Sequence, residues 1–125
     1  MTEVRGLHHV SLIVANWRHC LAFYRDVLGL EIDDTRPKLG FPGVWLRIGH
    51  QQVHLLELDN PDPITARPAH GGRDRHTAVA VRDLDGFVRR LERAAIPYTL
   101  SQSGRRALFC LDPDGNAWEL IEQPA

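Results

Sequence analysis

Residues 9–16 read HVSLIVAN and residues 76–83 read HTAVAVRD. Each stretch is a histidine, then an apolar run too short for a buried helix, then a side chain that caps helix N-termini. A second pair of stretches also matches, VHLLE at residues 53–57 and WELIE at residues 118–122. The matched stretches are 67 residues apart in the first pair and 65 in the second, which indicates an internal duplication.

The same order of elements, βαβββ, is predicted in both halves. Apolar residues recur at spacings of three and four after Asn16 and after Asp83, so we expect helices that run to about Leu28 and about Ala95. Alternating and β-branched runs predict strands at residues 6–14, 30–34, 44–48 and 52–58, and again at 76–81, 96–101, 106–111 and 117–122. Together these elements predict an α+β fold.

The length and composition predict one globular domain. The chain has 125 residues, of which 43% are hydrophobic and 25% charged. Its two modules are expected at about 5–58 and 75–123, with a linker at about 59–74. Three prolines and two glycines lie in that linker, and plain flexibility is the simplest expectation for it.

The charge and the cysteines argue against several classes of function. A formal net charge of -1 argues against a general nucleic-acid-binding protein, because such a protein needs a basic surface. No apolar run approaches the roughly 20 residues that span a bilayer, and no secretory leader is expected. Cys20 and Cys110 lie far apart without a CxxC pair, which favours a cytoplasmic protein over a disulfide framework.

Metal-binding side chains occupy matched positions in the two halves. Strand alternation places His9 and His76 on sheet faces away from the helices, and His54 and Glu119 occupy the matched positions of later strands. A single histidine on a strand is usually a packed or exposed group, so the matching is what favours a metal site. Glu119 has apolar neighbours, where a carboxylate is costly to keep charged unless it is paired or metal-bound.

The other histidines and the cysteines are expected to play no part in such a site. His8 alternates to the face opposite His9 and is expected at the rim. The remaining histidines are expected to be solvated, and the cysteines to be small core residues. These solvated histidines are His19, His50 and His70.

Several motifs resemble those of the vicinal oxygen chelate superfamily, which includes the glyoxalases. They are LHHV at residues 7–10, FYRDVLGL at 23–30, VHLLE at 53–57, RHTAV at 75–79 and DPDGNAWEL at 112–120. The resemblance covers nearly the whole chain. It is specific for the superfamily but separates its chemistries poorly.

The resemblance implies a fold, a metal and a set of ligands. The fold would be two βαβββ modules forming a cup-shaped, barrel-like mixed sheet with the helices outside. The ligands of a divalent ion (Zn, Ni, Co, Mn or Fe) would be His9, His54, His76 and Glu119. Many glyoxalases and epimerases carry Glu or Gln where this chain has His54, so a strict glyoxalase I assignment does not follow.

The expected function is that of a metal-dependent, glyoxalase-like lyase or isomerase acting on a small metabolite that chelates through vicinal oxygens. Glu119 is the candidate catalytic base, and His54 is the second candidate catalytic residue. One alternative is a non-haem Fe(II) dioxygenase that uses His9, His76 and Glu119, with His54 as an acid or base.

Two further alternatives come from the same superfamily. A fosfomycin-resistance-type thiol transferase would need cations for its phosphonate, and Arg47, Arg105 and Arg106 are the candidates. A non-catalytic small-molecule binding protein is the other alternative, although the complete ligand set favours an enzyme.

A homodimer is also expected. The helix-free sheet faces carry the apolar residues Ile13, Leu56, Leu58 and Ile121 around the predicted ligands. So much apolar surface is rarely left open to water, and a twofold partner would cover it. The sequence leaves open whether each site is built from one chain or from two.

Overall fold

The computed structural model describes residues 2–62 and 64–124. Within them the predicted βαβββ order is confirmed in both halves. The first module contains β1 (His9–Val14), α1 (Trp17–Tyr24), β2 (Glu31–Asp33), β3 (Gly43–Ile48) and β4 (Gln51–Glu57). A short 3-10 turn (Gly71–Arg73) precedes the second module, which contains β5 (His76–Val81), α2 (Leu84–Arg93), β6 (Tyr98–Leu100), β7 (Ala107–Leu111) and β8 (Ala117–Glu122).

Each module forms its own four-stranded mixed sheet, so the α+β class with two βαβββ modules is confirmed. The strand orders are β1-β4-β3-β2 and β5-β8-β7-β6, and the first pair in each sheet is parallel. The two registers are equivalent, because Ser11 lies beside His54 in one sheet and Ala78 lies beside Glu119 in the other. The duplication therefore extends to the pairing of individual residues.

Both helices begin as predicted and end earlier than predicted. The side chain of Asn16 accepts a hydrogen bond from the His19 amide (3.1 Å), and that of Asp83 accepts one from the Gly86 amide (3.0 Å). Apolar residues also follow Tyr24 at helical spacing, which is why the predicted helix was too long. These residues are buried, but they lie in turns that lead to Gly29 at φ +76°.

The modules pack against each other through a buried aromatic and carboxylate network. Tyr24 and Trp118 are both fully buried, and the Trp118 indole N–H donates to the Tyr24 hydroxyl at 3.2 Å. That hydroxyl donates to Oδ2 of Asp112 at 2.6 Å, so a first-module side chain supplies a donor to a second-module carboxylate. Cys20 and Cys110 lie in the same core as free thiols, as predicted, and burial is the largest cause that raises the pKa of each to about 12.

Part of the linker packs on the second module. Residues 67–75, which we call the strap, contain the 3-10 turn (Gly71–Arg73), and this turn lies against β7 and β8. Gly71 packs so closely on Phe109 that an added Cβ would lie 2.6 Å from the Phe109 Cβ. A glycine at this position lets the backbone pack directly on an aromatic side chain. Among the residues that the structure describes, no helix is long and apolar enough to cross a membrane.

Candidate metal centre

The structure brings the four predicted ligands together as two pairs. His9 and His54 meet on the first sheet, and His76 and Glu119 meet on the second. Within residues 2–62 and 64–124, no three His, Cys, Asp or Glu side chains lie close enough to hold one metal ion. The expected convergence of all four is therefore not found within one chain. We call the pair His9 and His54 the first half-site, and the pair His76 and Glu119 the second half-site.

The first half-site is a stack of aromatic rings. The His9 and His54 rings are nearly parallel, with centroids 4.0 Å apart. Trp45 packs on the other side of His54 at 4.2 Å, because the two residues are direct partners across β3 and β4. Trp45 was not among the predicted site residues, since its position follows only from the register of the two strands.

Hydrogen bonds fix the tautomer of His54. The Gln52 side-chain amide donates to Oδ2 of Asp33 (2.9 Å), so its carbonyl oxygen faces His54 Nε2 at 2.8 Å. That nitrogen must donate, which leaves Nδ1 of a neutral His54 with a free lone pair. Burial, and then the nearby His9 and His8, lower the pKa of His54 and so favour this neutral form.

Gln52 and Asp33 form an outer layer of this half-site that the sequence analysis missed. Strand alternation could have indicated Gln52, because it precedes His54 by two residues on the same strand. Hydrogen bonds from Thr35 and Gln52 lower the pKa of Asp33 to about 2, so this carboxylate stays charged and keeps the amide oriented.

His8 does not lie opposite His9 as predicted. The two Nδ1 atoms are 2.8 Å apart, and both rings border the cleft of about 640 Å³ that His54 also lines. The alternation argument fails here because β1 begins at His9, so His8 is outside the pleated strand.

The second half-site is built around a buried carboxylate. Glu119 is only 3% exposed, and its Oε1 lies 3.2 Å from Nε2 of His76. Its Oε2 lies 3.4 Å from the Arg105 guanidinium, which supplies a positive charge without any metal. The buried carboxylate therefore has a cationic partner within the chain, which is one of the two conditions expected for a carboxylate among apolar neighbours. These groups border a cleft of about 290 Å³.

A backbone carbonyl fixes the tautomer of His76. Nδ1 of this residue lies 2.8 Å from the Asp74 carbonyl oxygen, which can only accept. In the neutral ring, Nε2 then points its lone pair at the Glu119 carboxylate. Two acceptors facing each other repel unless a proton or a cation lies between them, and metal-bound histidines are usually anchored in this way through their other nitrogen. The donor set of the second half-site therefore fits a divalent metal.

Only one of the three arginines considered for anion binding reaches this carboxylate. Arg47 forms a salt bridge with Glu31 at 2.9 Å on the first sheet. Arg106 pairs with Glu122 at 2.9 Å and with Asp85 at 3.1 Å.

His70, which was predicted to be solvated, contacts two residues of the second module. Its Nδ1 lies 3.0 Å from the Thr99 hydroxyl, and its ring packs edge-on against Phe109 with centroids 5.2 Å apart. His76 contacts the same ring at 5.1 Å, so Phe109 lies between the strap and the second half-site.

Two known proteins are similar in sequence to this chain. A 29% identical relative is the uncharacterized protein YaeR of Escherichia coli K12, and the match covers 98% of this chain and 100% of the relative. Glyoxylase I 4 of Arabidopsis thaliana is 32% identical, over 90% of this chain and 68% of that protein.

Solved structures share the fold. A glyoxalase family protein of Bacillus anthracis superposes with a TM-score of 0.76 at 23% identity, covering 98% of both chains. A variant of the fosfomycin resistance protein FosX of Listeria monocytogenes, complexed with Mn(II) and 1S,2S-dihydroxypropylphosphonic acid, gives a TM-score of 0.75 at 19% identity. That match covers 96% of this chain and 93% of FosX.

A protein-family model joins these observations. The model described as Glyoxalase/Bleomycin resistance protein/Dioxygenase superfamily matches residues 6–120, which include all four residues of the half-sites. The match spans most of the chain and both modules. The protein therefore belongs to the glyoxalase/bleomycin resistance protein/dioxygenase superfamily.

Proposed function

We propose that this protein is a metal-dependent, glyoxalase-like enzyme whose metal is bound between two copies of the chain. His9 and His54 of one copy and His76 and Glu119 of the other supply the ligands. The observation that carries the proposal is the division of the ligand set into two half-sites, each with two donors. Each half-site borders an open cleft, so neither is closed off within its own chain.

A twofold homodimer accounts for the division. In an isologous interface every contact occurs twice. If the first half-site of one copy faces the second half-site of the other, the dimer therefore contains two equal, complete sites. The sheet faces around the half-sites support such a partner. Ser11, Ala78 and Ala80 are small and exposed there, and Ile13 and Ile121 are only partly buried.

The donor chemistry determines which metals fit. Neutral imidazoles and one carboxylate suit Zn, Ni, Co, Mn or Fe(II). When bound, such an ion acts as a Lewis acid toward a substrate that chelates through two neighbouring oxygens. The FosX complex contains Mn(II) and a ligand whose name specifies two neighbouring hydroxyl groups, which supports this class of substrate by analogy.

Residues of the chain supply the proton chemistry and the surroundings. In this proposal Glu119 is a ligand that can also leave the metal and take a proton from the substrate, and a positioned base of this kind contributes roughly 10²–10⁴-fold to a rate. Arg105 forms an ion pair with this carboxylate at 3.4 Å. Trp45 packs over His54 and keeps water away from one face of that imidazole.

A fosfomycin-resistance-type transferase is the second candidate, and one observation favours it. Arg105 lies at the second half-site, where a cation could bind an anionic substrate such as a phosphonate. The glyoxalase-like proposal remains the first choice, because the other two candidate arginines are paired elsewhere.

A complementation experiment tests the proposed architecture. One variant combines His9→Ala with His54→Ala, and the other combines His76→Ala with Glu119→Gln. Each alone should bind no metal, whereas their heterodimer, isolated through two different tags, should regain about one metal ion against about two per wild-type dimer. Mass spectrometry of bound metals gives the stoichiometry. A heterodimer without metal, or a monomeric wild type with metal, would refute the two-chain site.

The reaction itself is tested with the wild-type protein after metal analysis. Turnover of a hemithioacetal with Ni or Zn is the expected result. Oxygen uptake on a catechol with iron would instead show a dioxygenase, and thiol transfer to a phosphonate would show the second candidate. Small-molecule binding without turnover on any substrate of this panel would contradict the proposal of an enzyme.

A further inference from the structure

The strap is attached to the second module by a partly shielded ion pair. The Arg67 guanidinium contacts Oδ2 of Asp74 through Nε at 2.9 Å and through Nη2 at 2.6 Å. The two side chains are only 19% and 11% exposed, so solvent screens this pair less than an exposed pair. Arg67 also packs near Gly115, where an added Cβ would lie 3.2 Å from its Nη1. The pair thus connects both ends of the strap to the β7–β8 turn.

Backbone geometry also holds the strap in a defined position on the second module. Ala66, immediately before it, has φ +59°, a left-handed conformation that is unfavourable for a non-glycine residue and persists only where the surroundings enforce it. The Asp74 amide donates to the Gly71 carbonyl at 3.1 Å, which closes the 3-10 turn directly above Phe109. The Asp74 peptide is therefore held by the turn on one side and by the ion pair on the other.

The same Asp74 peptide holds the imidazole of the second half-site. Its carbonyl oxygen accepts from Nδ1 of His76, and this bond directs Nε2 toward Glu119. In the first half-site the corresponding contact comes from the side chain of Gln52 on the same strand. His76 instead depends on a connection outside the sheet, so the orientation of its ring depends on where the strap lies.

We propose that Arg67 is a positioning residue for His76. By locking Asp74 in place, Arg67 keeps the Asp74 carbonyl on Nδ1 and so keeps Nε2 of His76 directed at Glu119. The statement about the imidazole stands on the contacts of this chain alone. Its consequence for metal affinity rests on the proposed function.

The experiment reads the His76 tautomer in the metal-free protein by long-range ¹H–¹⁵N correlation at pH 8. Wild type should show a proton on Nδ1 that is hydrogen-bonded to the Asp74 carbonyl, with or without a second proton between Nε2 and Glu119. Arg67→Ala should give a mixture of the two tautomers, and Gly71→Ala, which lifts the strap by collision with Phe109, should do the same. Arg67→Lys keeps the charge and should largely restore the wild-type spectrum. Arg75→Ala is the matched control, because it removes the exposed pair of Arg75 with Asp62 from the same segment.

Metal titration of the same variants provides the second measurement. Loss of an outer partner of a ligand weakens metal binding by about 10–100-fold, and we expect that range for Arg67→Ala but not for Arg75→Ala. Thermal melting checks that each variant is folded. If Arg67→Ala does not fold, the inference is tested by Gly71→Ala and Arg67→Lys instead. An unchanged tautomer in folded Arg67→Ala and Gly71→Ala overturns the inference. A shifted tautomer in a protein whose wild type binds no metal upholds it and refutes the proposed function instead.

Discussion

The two half-sites occupy equivalent positions of a duplicated fold and yet differ in nearly every contact. In the first, His54 lies between two aromatic rings and is oriented by an amide and a charged carboxylate on its own sheet. In the second, His76 faces a buried carboxylate and is oriented by a strap from outside the sheet. The first half-site therefore presents two imidazole rings, and the second presents one imidazole ring and one carboxylate.

This contrast shows what a duplication preserves. The backbone register is the same, with Ser11 beside His54 and Ala78 beside Glu119. The neighbours that determine tautomer and charge are not repeated, because they come from cross-strand partners and from a linker that has no counterpart in the first module. Two halves of one ancestry can in this way supply unlike parts of a single site.

The largest effect is expected from removing the charge of the second half-site. Glu119→Gln keeps the size of the side chain but removes the ionised oxygen, and turnover should fall by roughly 10²–10⁴-fold together with metal affinity. Glu122→Gln is the control on the same strand, since Glu122 pairs with Arg106 and caps the Leu84 amide instead. Steady-state kinetics and metal titration check both. Equal losses in the two variants would remove the distinction between the half-sites.

A smaller loss is expected from the first half-site. If His54 is a ligand, His54→Ala should weaken metal binding strongly, whereas a role in proton transfer alone would leave the metal bound and lower only turnover. We expect weaker metal binding, because Nδ1 of His54 carries a free lone pair. Equilibrium dialysis and kinetics on one preparation separate the two roles. Retained metal with full activity would make His54 a bystander.

A smaller effect, on stability and not on activity, is expected from the buried contact between the modules. Tyr24→Phe leaves the buried Asp112 and the Trp118 indole without their hydroxyl partner, and should cost about 1–3 kcal/mol of unfolding free energy. Burial raises the pKa of Asp112 and the Tyr24 hydroxyl lowers it, so the variant should lose most where the carboxylate is ionised and less in acid.

Denaturation with urea at fixed protein concentration measures this loss. Tyr98→Phe is the matched control, because its hydroxyl donates to Glu92 on the surface, and it should change stability by no more than about 0.5 kcal/mol. A Tyr24→Phe variant as stable as this control would show that the modules need no polar contact in their core.

The smallest effect concerns the outer layer of the first half-site. The pKa of Asp33 is lowered from 3.8 to about 2, so its contribution to stability is present above 3.8 and disappears as the pH falls through about 2. Asp33→Asn should therefore flatten the acid branch of the stability curve. Asp34→Asn, at the exposed neighbouring residue, serves as the control. Identical acid branches in wild type and Asp33→Asn would mean that Thr35 and Gln52 do not hold this carboxylate.

Much of the fold could be predicted because it depends on local pattern. The two N-caps, the order of elements and the exact bounds of β5 and β8 follow from capping side chains and alternation. The ends of the helices could not be predicted from periodicity, since apolar residues after Tyr24 are buried while lying in turns. Burial in a turn and burial on a helix face can produce the same pattern of apolar residues.

The candidate site shows the same limit. Alternation places His9, His54, His76 and Glu119 on comparable faces, and the structure brings them together as two pairs instead of the expected set of four. The residues that contact these side chains could not be predicted without the strand register and the position of the linker. Trp45 contacts His54 through the strand register, and Asp74 contacts His76 from the linker.

The docking of the strap shifts the boundary between the two units of the chain. In sequence the second unit starts near residue 75, but in space it starts at Arg67, and the exposed connection shortens to residues 58–62 and 64–66. A protease that nicks this stretch would release neither the strap nor the imidazole contact it provides. The two fragments of the cut chain would remain associated through the core around Tyr24 and Trp118. One fragment would carry the first half-site and the other would carry the second.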